Sequence, residues 1–276
     1  MKIRKVIEDF TNLDICLKQL FFSKKDIHLL KMEKRIQVNN MITTSNIFLK
    51  VNDVLEIDVI KEEEIDKMAV MQDLKILYED EFLLAVDKPT GIIIHGDGNK
   101  NNTTLDNIIA GYYQSTNQNH RVLHVHRLDK ETSGCILYCK QSYLISYFDY
   151  CLANNLIQRN YLALVTGVID KEITINKNIG RDRHVNNKYR ISKNGKPAIT
   201  IIRPLKQQNG TTLIKCSLQT GRTHQIRVHL QSIGHPVIGD TIYQGKKYDR
   251  LMLHSYQISF IHPVTNKRVI IQSDID

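Results

Sequence analysis

No glycine or proline precedes Pro89 and Gly91, so all 13 glycines and 5 prolines of this 276-residue chain lie from there onward. Proline fixes φ and glycine frees it, and these residues that punctuate a fold are confined to the later part. A chain so divided reads as two units, and its length suffices for one sizeable core with a small module beside it. We expect a small module over residues 1–62, a linker over 63–74 entered through the charged run "KEEEIDKM", and a larger domain over 75–276.

In the early part, other residues must make the turns. Asn39-Asn40 and Asn52-Asp53 stand where glycine would be usual, and Asn and Asp tolerate the left-handed conformation. The run "LKQLFFSKKDIHLLKMEKR" reads as two short helices, with Ser23 as an N-cap and Leu29, Leu30 and Met32 as apolar positions. "IQVNN", "MITTS" and "DVLEIDVI" alternate like short strands. Further on, "FLLAV", "RVLHV", "CILYCK", "YLALVTGVI", "TTLIKCSLQ" and "YQISFIHP" read as strands, and helices are expected near residues 104–113, 142–154 and 223–233. Strands and helices do not alternate regularly. The predicted fold class is therefore α+β, a mixed and mainly antiparallel sheet with flanking helices, rather than a doubly wound parallel sheet. In the last helix Ile226, Leu230 and Ile233 share one face, which we take as its core side.

Charge indicates the partner. Lys plus Arg is 38 and Asp plus Glu is 29, a net charge of +9, which suits a polyanion. The five cysteines, Cys16, Cys135, Cys139, Cys151 and Cys216, form no paired short spacing and suit reduced thiols in a cytoplasmic chain; Cys135 and Cys139 belong to a core strand rather than a metal knuckle. No stretch approaches the ~20 apolar residues of a membrane span, and the N-terminus carries scattered charges in place of a signal segment. "HGDGNKN" has Gly96 and Gly98 but not the third glycine of a dinucleotide fingerprint, and no phosphate loop occurs, so no cofactor is expected. His124 and His126 of "HVH" alternate like strand side chains and could ligate a metal, yet carboxylates at a familiar spacing are missing; hydrogen-bonded structural histidines are the alternative.

One loop stands out. "HRLDKETSG", residues 126–134, lies between two strand-like runs and presents Asp129 on a connection held by rigid elements, where reactive groups tend to sit. Taken alone, an Asp there is a turn former or helix cap. The run around it, however, resembles the catalytic loop of the RluA-type RNA pseudouridine synthases. Three further segments resemble that family in its own order: "AVDKPTGIIIH", "RNYLALVTG" and "LQTGRTHQIRVHLQSIGHPVIGD", with "LHSYQISFIHPVT" continuing the match. The resemblance covers about residue 75 to the C-terminus. Residues 1–62 resemble the small alpha-L RNA-binding domain that many of these enzymes carry, but lack the glycines expected in its turns, which leaves open whether the module binds RNA or only packs.

The resemblance implies the pseudouridine synthase fold and an isomerase that breaks the N1–C1′ bond of a specific uridine in ribosomal or transfer RNA, turns the uracil, and rejoins it through C5. The family's catalytic aspartate falls on Asp129, which attacks the sugar or acts as a base there; we favour the sugar-directed route. Its arginine falls on Arg227, with Arg222 as second choice on spacing alone, and its tyrosine on Tyr161, whose phenol could stack on uracil near the departing C5 proton. A base inside structured RNA must be extruded, and Arg127 is implied to enter the space it leaves, with His126 beside it on the RNA side. Lys88, Arg121, Lys130, Arg159, Arg181, Arg183, Lys188 and Arg190 are candidate phosphate contacts, the cluster "GRDRHVNNKYR" most of all. Two departures are visible: Asp87 where asparagine is commoner, and Arg159 where lysine usually precedes the tyrosine by two. The expected state is a cytoplasmic monomer acting on structured RNA without metal or membrane. The competing classes are a noncatalytic RNA-binding protein and, more remotely, a metal-dependent hydrolase built on the "HVH" histidines.

Overall fold

The computed structural model describes residues 2–96 and 103–275; the end of "HGDGNKN" lies outside the described residues. The early part runs β1 (Ile3–Val6), β2 (Thr11–Asn12), α1 (Leu13–Gln19), α2 (Lys24–Met32), β3 (Ile36–Val38), β4 (Met41–Ile42), β5 (Phe48–Leu49) and β6 (Val54–Ile57). Its main sheet has the order β1-β6-β3-β4. Ser23 caps α2 reciprocally: its hydroxyl accepts from the Asp26 N–H at 3.1 Å, while the Asp26 carboxylate accepts from the Ser23 N–H at 3.1 Å. Asn39, Asn40 and Asn52 take positive φ of 50°, 66° and 71°, so asparagine makes these turns without glycine as expected. Met32 is a correction. It is exposed at the end of α2, and Ile27 with Leu30 forms the buried stripe instead.

Residues 63–74 contain no helix or strand and are strapped down. Glu63 N–H donates to Asn119 O at 2.8 Å, Val70 N–H to Asn107 O at 2.9 Å, and Asp66 accepts from Val122 N–H at 2.9 Å. Ile65, Ala69 and Leu74 rest partly buried on the core beneath.

The later part comprises β7 (Ile76–Glu79), β8 (Leu83–Lys88), α3 (Leu105–Ser115), β9 (Leu123–His124), β10 (Ser133–Cys139), a 3-10 turn (Ser142–Leu144) leading into α4 (Ile145–Ala153), β11 (Gln158–Thr166), β12 (Ile173–Asn176), β13 (Ile179–Arg181), β14 (Tyr189–Ile191), β15 (Ile199–Gln208), β16 (Thr211–Leu218), α5 (Gln225–Gln231), β17 (Leu253–Ile261) and β18 (Arg268–Gln272). The main sheet has the order β12-β15-β16-β11-β17-β10-β8-β7, with β18 beside β17 and β9 beside β10. Among the described residues only β10 and β17 pair in parallel, so the sheet is mixed and mainly antiparallel, and the class is α+β as predicted. The expected strand "RVLHV" shortens to Leu123–His124.

β10 is buried on both faces, and its period of two divides the core. Ile136 and Tyr138 face α3 with Leu105, Ile109 and Tyr113. Cys135, Leu137 and Cys139 belong to a cluster that continues through Phe148 of α4 to Leu17 and Leu30 of the early part. Polar contacts follow the same seam: Tyr143 Oη donates to Glu33 at 2.9 Å and Lys61 N–H to Gln141 at 2.8 Å. A third cluster packs Ile226 and Leu230 of α5 on Tyr161, Ala163 and Val165 of β11 and Ile214 and Cys216 of β16, with Ile233 at its margin. Burying a side chain such as Leu230 contributes about 1.5–3 kcal/mol, and it fastens α5 in the rotation that turns Arg227 toward the 126–134 loop. All five cysteines are buried and unpaired. No helix among the described residues is long and apolar enough to cross a membrane.

Candidate active site

The loop carrying Asp129 is braced at both ends. At its end, Gly134 has φ +106°, and a Cβ there would lie 2.3 Å from Ser255 O. Only glycine lets β10 come this close to β17, which explains the last letter of "HRLDKETSG". At its middle, Lys130 O accepts from Gly91 N–H at 3.0 Å and from Lys88 Nζ at 2.9 Å, and Glu131 O accepts from Thr90 Oγ1 at 3.0 Å. The turn "DKPTG" is thus the loop's clamp. This corrects the reading of Lys88 as a phosphate contact. Its side chain is fully buried and its ammonium donates to the carbonyls of Pro89, Ile92 and Lys130, leaving no proton for RNA. Burial pulls its pKa down to about 8, against the attraction of Glu131 and Asp129.

Asp129 meets a guanidinium from α5. Arg227 Nη1 donates to Asp129 Oδ2 at 3.3 Å, while its Nε and Nη2 donate to Asp240 at 2.7 and 2.8 Å. The two bonds to Asp240 fix the plane of the fork, and Nη1 is thereby turned toward Asp129. The Tyr243 ring supports the cation from its face at 5.0 Å. Burial disfavours the Arg227 cation, but the hydrogen bonds and charge of Asp240 outweigh it, so its pKa is raised. Arg222, the second choice by spacing, donates Nε to Pro197 O at 2.9 Å instead.

His224 precedes α5 with φ 56°, a strained conformation for a residue with a side chain. Its Nδ1 lies 2.9 Å from Tyr243 Oη, which already accepts from Tyr189 N–H at 2.9 Å. The ring's other nitrogen, Nε2, lies 3.8 Å from Asp129 Oδ2. Burial holds His224 below the usual histidine pKa, with the Asp129 charge acting in the opposite direction.

Asp129, Tyr161, Arg227, Arg127, Arg222 and His126 line one cavity of about 820 Å³. Arg127 and Lys130 are exposed at its mouth, and Leu128 packs between two core clusters beneath the loop. Tyr161 is buried at 6% exposure, and burial raises its pKa despite the charge of Arg159. Arg181 and Arg190 are exposed on the β13–β14 hairpin, Arg183 at its tip, and Lys188 reaches back to 6.0 Å from the Tyr243 ring. Arg121 lies apart, 3.5 Å from Asp66. His126 is a wall residue rather than a surface contact: it is buried, its Nε2 accepts from Leu137 N–H at 3.3 Å, and its Nδ1 has no partner among the described residues. His124 stacks on His95 at 5.4 Å and lies 3.4 Å from Asp106. Among the described residues no group of three His, Cys, Asp or Glu side chains is placed to hold a metal ion.

Burial, aided by the charges of Arg159 and His124, pushes the His126 pKa from 6.5 down to about 3. The unfolded chain binds a proton that the folded one refuses, so stability is complete above pH 6.5 and is lost as pH falls toward 3. Between about pH 7.5 and about pH 5 this residue alone should remove about 2 kcal/mol. His126→Gln, which retains an acceptor for Leu137, should show a correspondingly smaller drop in urea-unfolding free energy over that interval; an equal drop in both proteins would assign the acid sensitivity elsewhere.

Sequence reasoning missed four participants. Asp240 and His224 lay inside quoted motifs but carried no signal of their own, because their partners are set by the fold. Gln225 was equally silent: its amide accepts from Thr220 Oγ1 and Arg222 N–H and donates to Ile199 O and Thr200 Oγ1, stapling the turn before α5 to β15. Tyr243 lies just beyond the last motif.

A carboxylate set by a buried guanidinium at the floor of a cation-rimmed cavity defines an enzyme for a polyanionic substrate. More particularly, the chain belongs to the RNA pseudouridylate synthase family, whose model matches residues 82–232. It is 36% identical over 245 residues to an uncharacterized RNA pseudouridine synthase, YhcT, of Bacillus subtilis (strain 168), a match covering 87% of this chain and 81% of that one. It is 38% identical over 216 residues to the ribosomal large subunit pseudouridine synthase D of Nitrosomonas europaea, covering 73% of this chain and 62% of that protein's length. Among solved structures, human RNA pseudouridylate synthase domain containing 1 shares the fold, with a TM-score of 0.63 and 24% identity over 76% of this chain and 86% of that one. Membership places the chain among the RNA-modifying isomerases. These matches favour neither the noncatalytic binder nor the metal-dependent hydrolase.

Proposed function

We propose that this chain isomerises uridines of ribosomal large-subunit RNA to pseudouridine, with Asp129 as the catalytic carboxylate and the target base flipped into the cavity. The observation that carries the reading is convergence: Asp129, Tyr161 and Arg227, from three separate motifs, line one cavity, with an ion pair between the first and last. In the favoured route an Asp129 oxygen adds at C1′ as the N1–C1′ bond breaks, the freed uracil turns, C5 bonds to C1′ as the carboxylate leaves, and the C5 proton departs to solvent while N1 takes one up. Arg227 orients the carboxylate through the 3.3 Å pair from Nη1. Tyr161, whose phenol burial makes still harder to ionise, serves by stacking on the uracil rather than as a resident base. Arg127, exposed on the same loop, is suited to fill the stack the base vacates, and the β13–β14 hairpin with Arg181, Arg183, Lys188 and Arg190 to grip phosphates alongside. Large-subunit RNA is preferred over transfer RNA because relatives at 34–38% identity bear ribosomal large subunit names.

In the same reading residues 1–62 are an RNA-binding module, 63–74 a strap and 75–276 the catalytic domain. The chain works as a monomer in the cytoplasm, where its five free thiols stay reduced. The experiment is incubation with large-subunit ribosomal RNA transcripts carrying uridine tritiated at C5, followed by pseudouridine mapping. Tritium should appear in water in amounts equal to the pseudouridine formed, unaffected by chelator. Release from transfer RNA alone would overturn the choice of RNA, and no release from any RNA would overturn the activity.

A further inference from the structure

Two buried arginines line the cavity, and they are treated differently. Arg227 is neutralised by Asp240 and Asp129. Arg159, at the start of β11 and 7% exposed, has no carboxylate within ion-pair distance and no hydrogen-bond acceptor for its side chain among the described residues. Its Nε is fully enclosed with its proton unmatched. An enclosed N–H without an acceptor is costly, and a ligand that reached the fork from the cavity would complete it. Gly221 lies against the fork, where a Cβ would come within 2.7 Å of Arg159 Nη1. Its charge is felt instead by Tyr161 and His126, which share the cavity.

We propose that the Arg159 guanidinium seats a backbone phosphate of the RNA strand that delivers the target uridine. This rests on the activity proposed above and deepens it. Surface cations of the β13–β14 hairpin grip the strand from outside, whereas Arg159 takes one phosphate inside the cavity beside Tyr161 and thereby sets how far the uridine enters. The planar fork matches two phosphate oxygens, a geometry lysine cannot reproduce.

The test uses the full chain with nitrogen-15-labelled arginine. The Nε–H resonance of Arg159, assigned by its loss in Arg159→Gln and in Arg159→Lys, is followed during titration with inorganic phosphate, uridine, uridine 5′-monophosphate and uridine 3′-monophosphate. A saturable shift with phosphate and at least one monophosphate, and none with uridine, is expected; no saturable shift with any anion overturns the proposal. In tritium release from RNA, Arg159→Gln should raise the RNA concentration for half-maximal rate about ten- to a hundredfold while the saturated rate falls much less, the size of one charge-assisted pair. A shift with free phosphate accompanied by an unchanged half-maximal RNA concentration would make this a free-anion site and overturn the assignment to RNA. If the wild-type protein releases no tritium, the enzymatic reading fails by itself, and the titration with a non-reacting RNA strand still decides whether Arg159 holds a phosphate.

Discussion

Asp129→Asn is expected to lower tritium release by about three orders of magnitude or more, equivalent to about 4 kcal/mol of lost transition-state stabilisation. The amide is nearly the same size, and the loop is held by backbone bonds to Gly91, Lys88 and Thr90 that do not involve the Asp129 side chain, so its position should survive. What disappears is the anionic oxygen that bonds to carbon, together with the 3.3 Å pair to Arg227 Nη1. RNA binding should change by less than about threefold, because affinity for a polyanion comes chiefly from phosphate contacts. Asp129→Glu should also lose most activity: the charge stays, but its oxygen moves by more than an ångström, a misplacement that costs about a hundredfold. Release within tenfold of wild type in the Asn variant would show that the reacting group is another one.

The second large effect falls on a residue that need not touch RNA. Asp240→Ala should destabilise the fold by about 3–5 kcal/mol, because it strands a buried cation. Asp240 is 1% exposed; it accepts both arms of the Arg227 fork and, through Oδ1, the backbone N–H groups of Ile242 and Tyr243 at 3.0 Å. Removing it also loosens Tyr243, whose ring lies against the same guanidinium. At a few degrees per kcal/mol for a chain of this size, the melting temperature should fall on the order of 10 °C. Activity measured well below that midpoint should drop as well, since Arg227 no longer has a fixed plane. Asp240→Asn, which retains Oδ1 for the two backbone donors, should fall between. A melting temperature within a degree or two of wild type in the alanine variant would mean that Asp240 does not hold Arg227.

Local features were legible because each depends on neighbours in the chain. The Asn turns follow from φ preferences, the Ser23 cap from its own helix, the α5 core face from a period of 3.6, and the class of the sheet from the order of runs. Asp129 belongs here too, since the loop between two strands and the surrounding motif were both contiguous. Errors arose where the same residue type serves two ends. Lys88, at the end of β8, and Lys130, in the loop, are both cations beside the site, yet one is enclosed by three carbonyls and the other is exposed. Met32 and Leu30 are both apolar, and only the second faces inward.

By itself, then, the amino-acid order determined the α+β class, the residues that turn the chain without glycine, and which loop presents a carboxylate. Only the tertiary structure decided which arginine meets that carboxylate, that Asp240 and Tyr243 hold it there, that His224 presents its Nε2 toward it, and that Arg159 lies within the cavity with no partner among the described residues. The reason is distance along the chain. Asp129 and Arg227 are 98 residues apart, and a charge acquires its role from partners and burial that exist only once such separated segments are packed together.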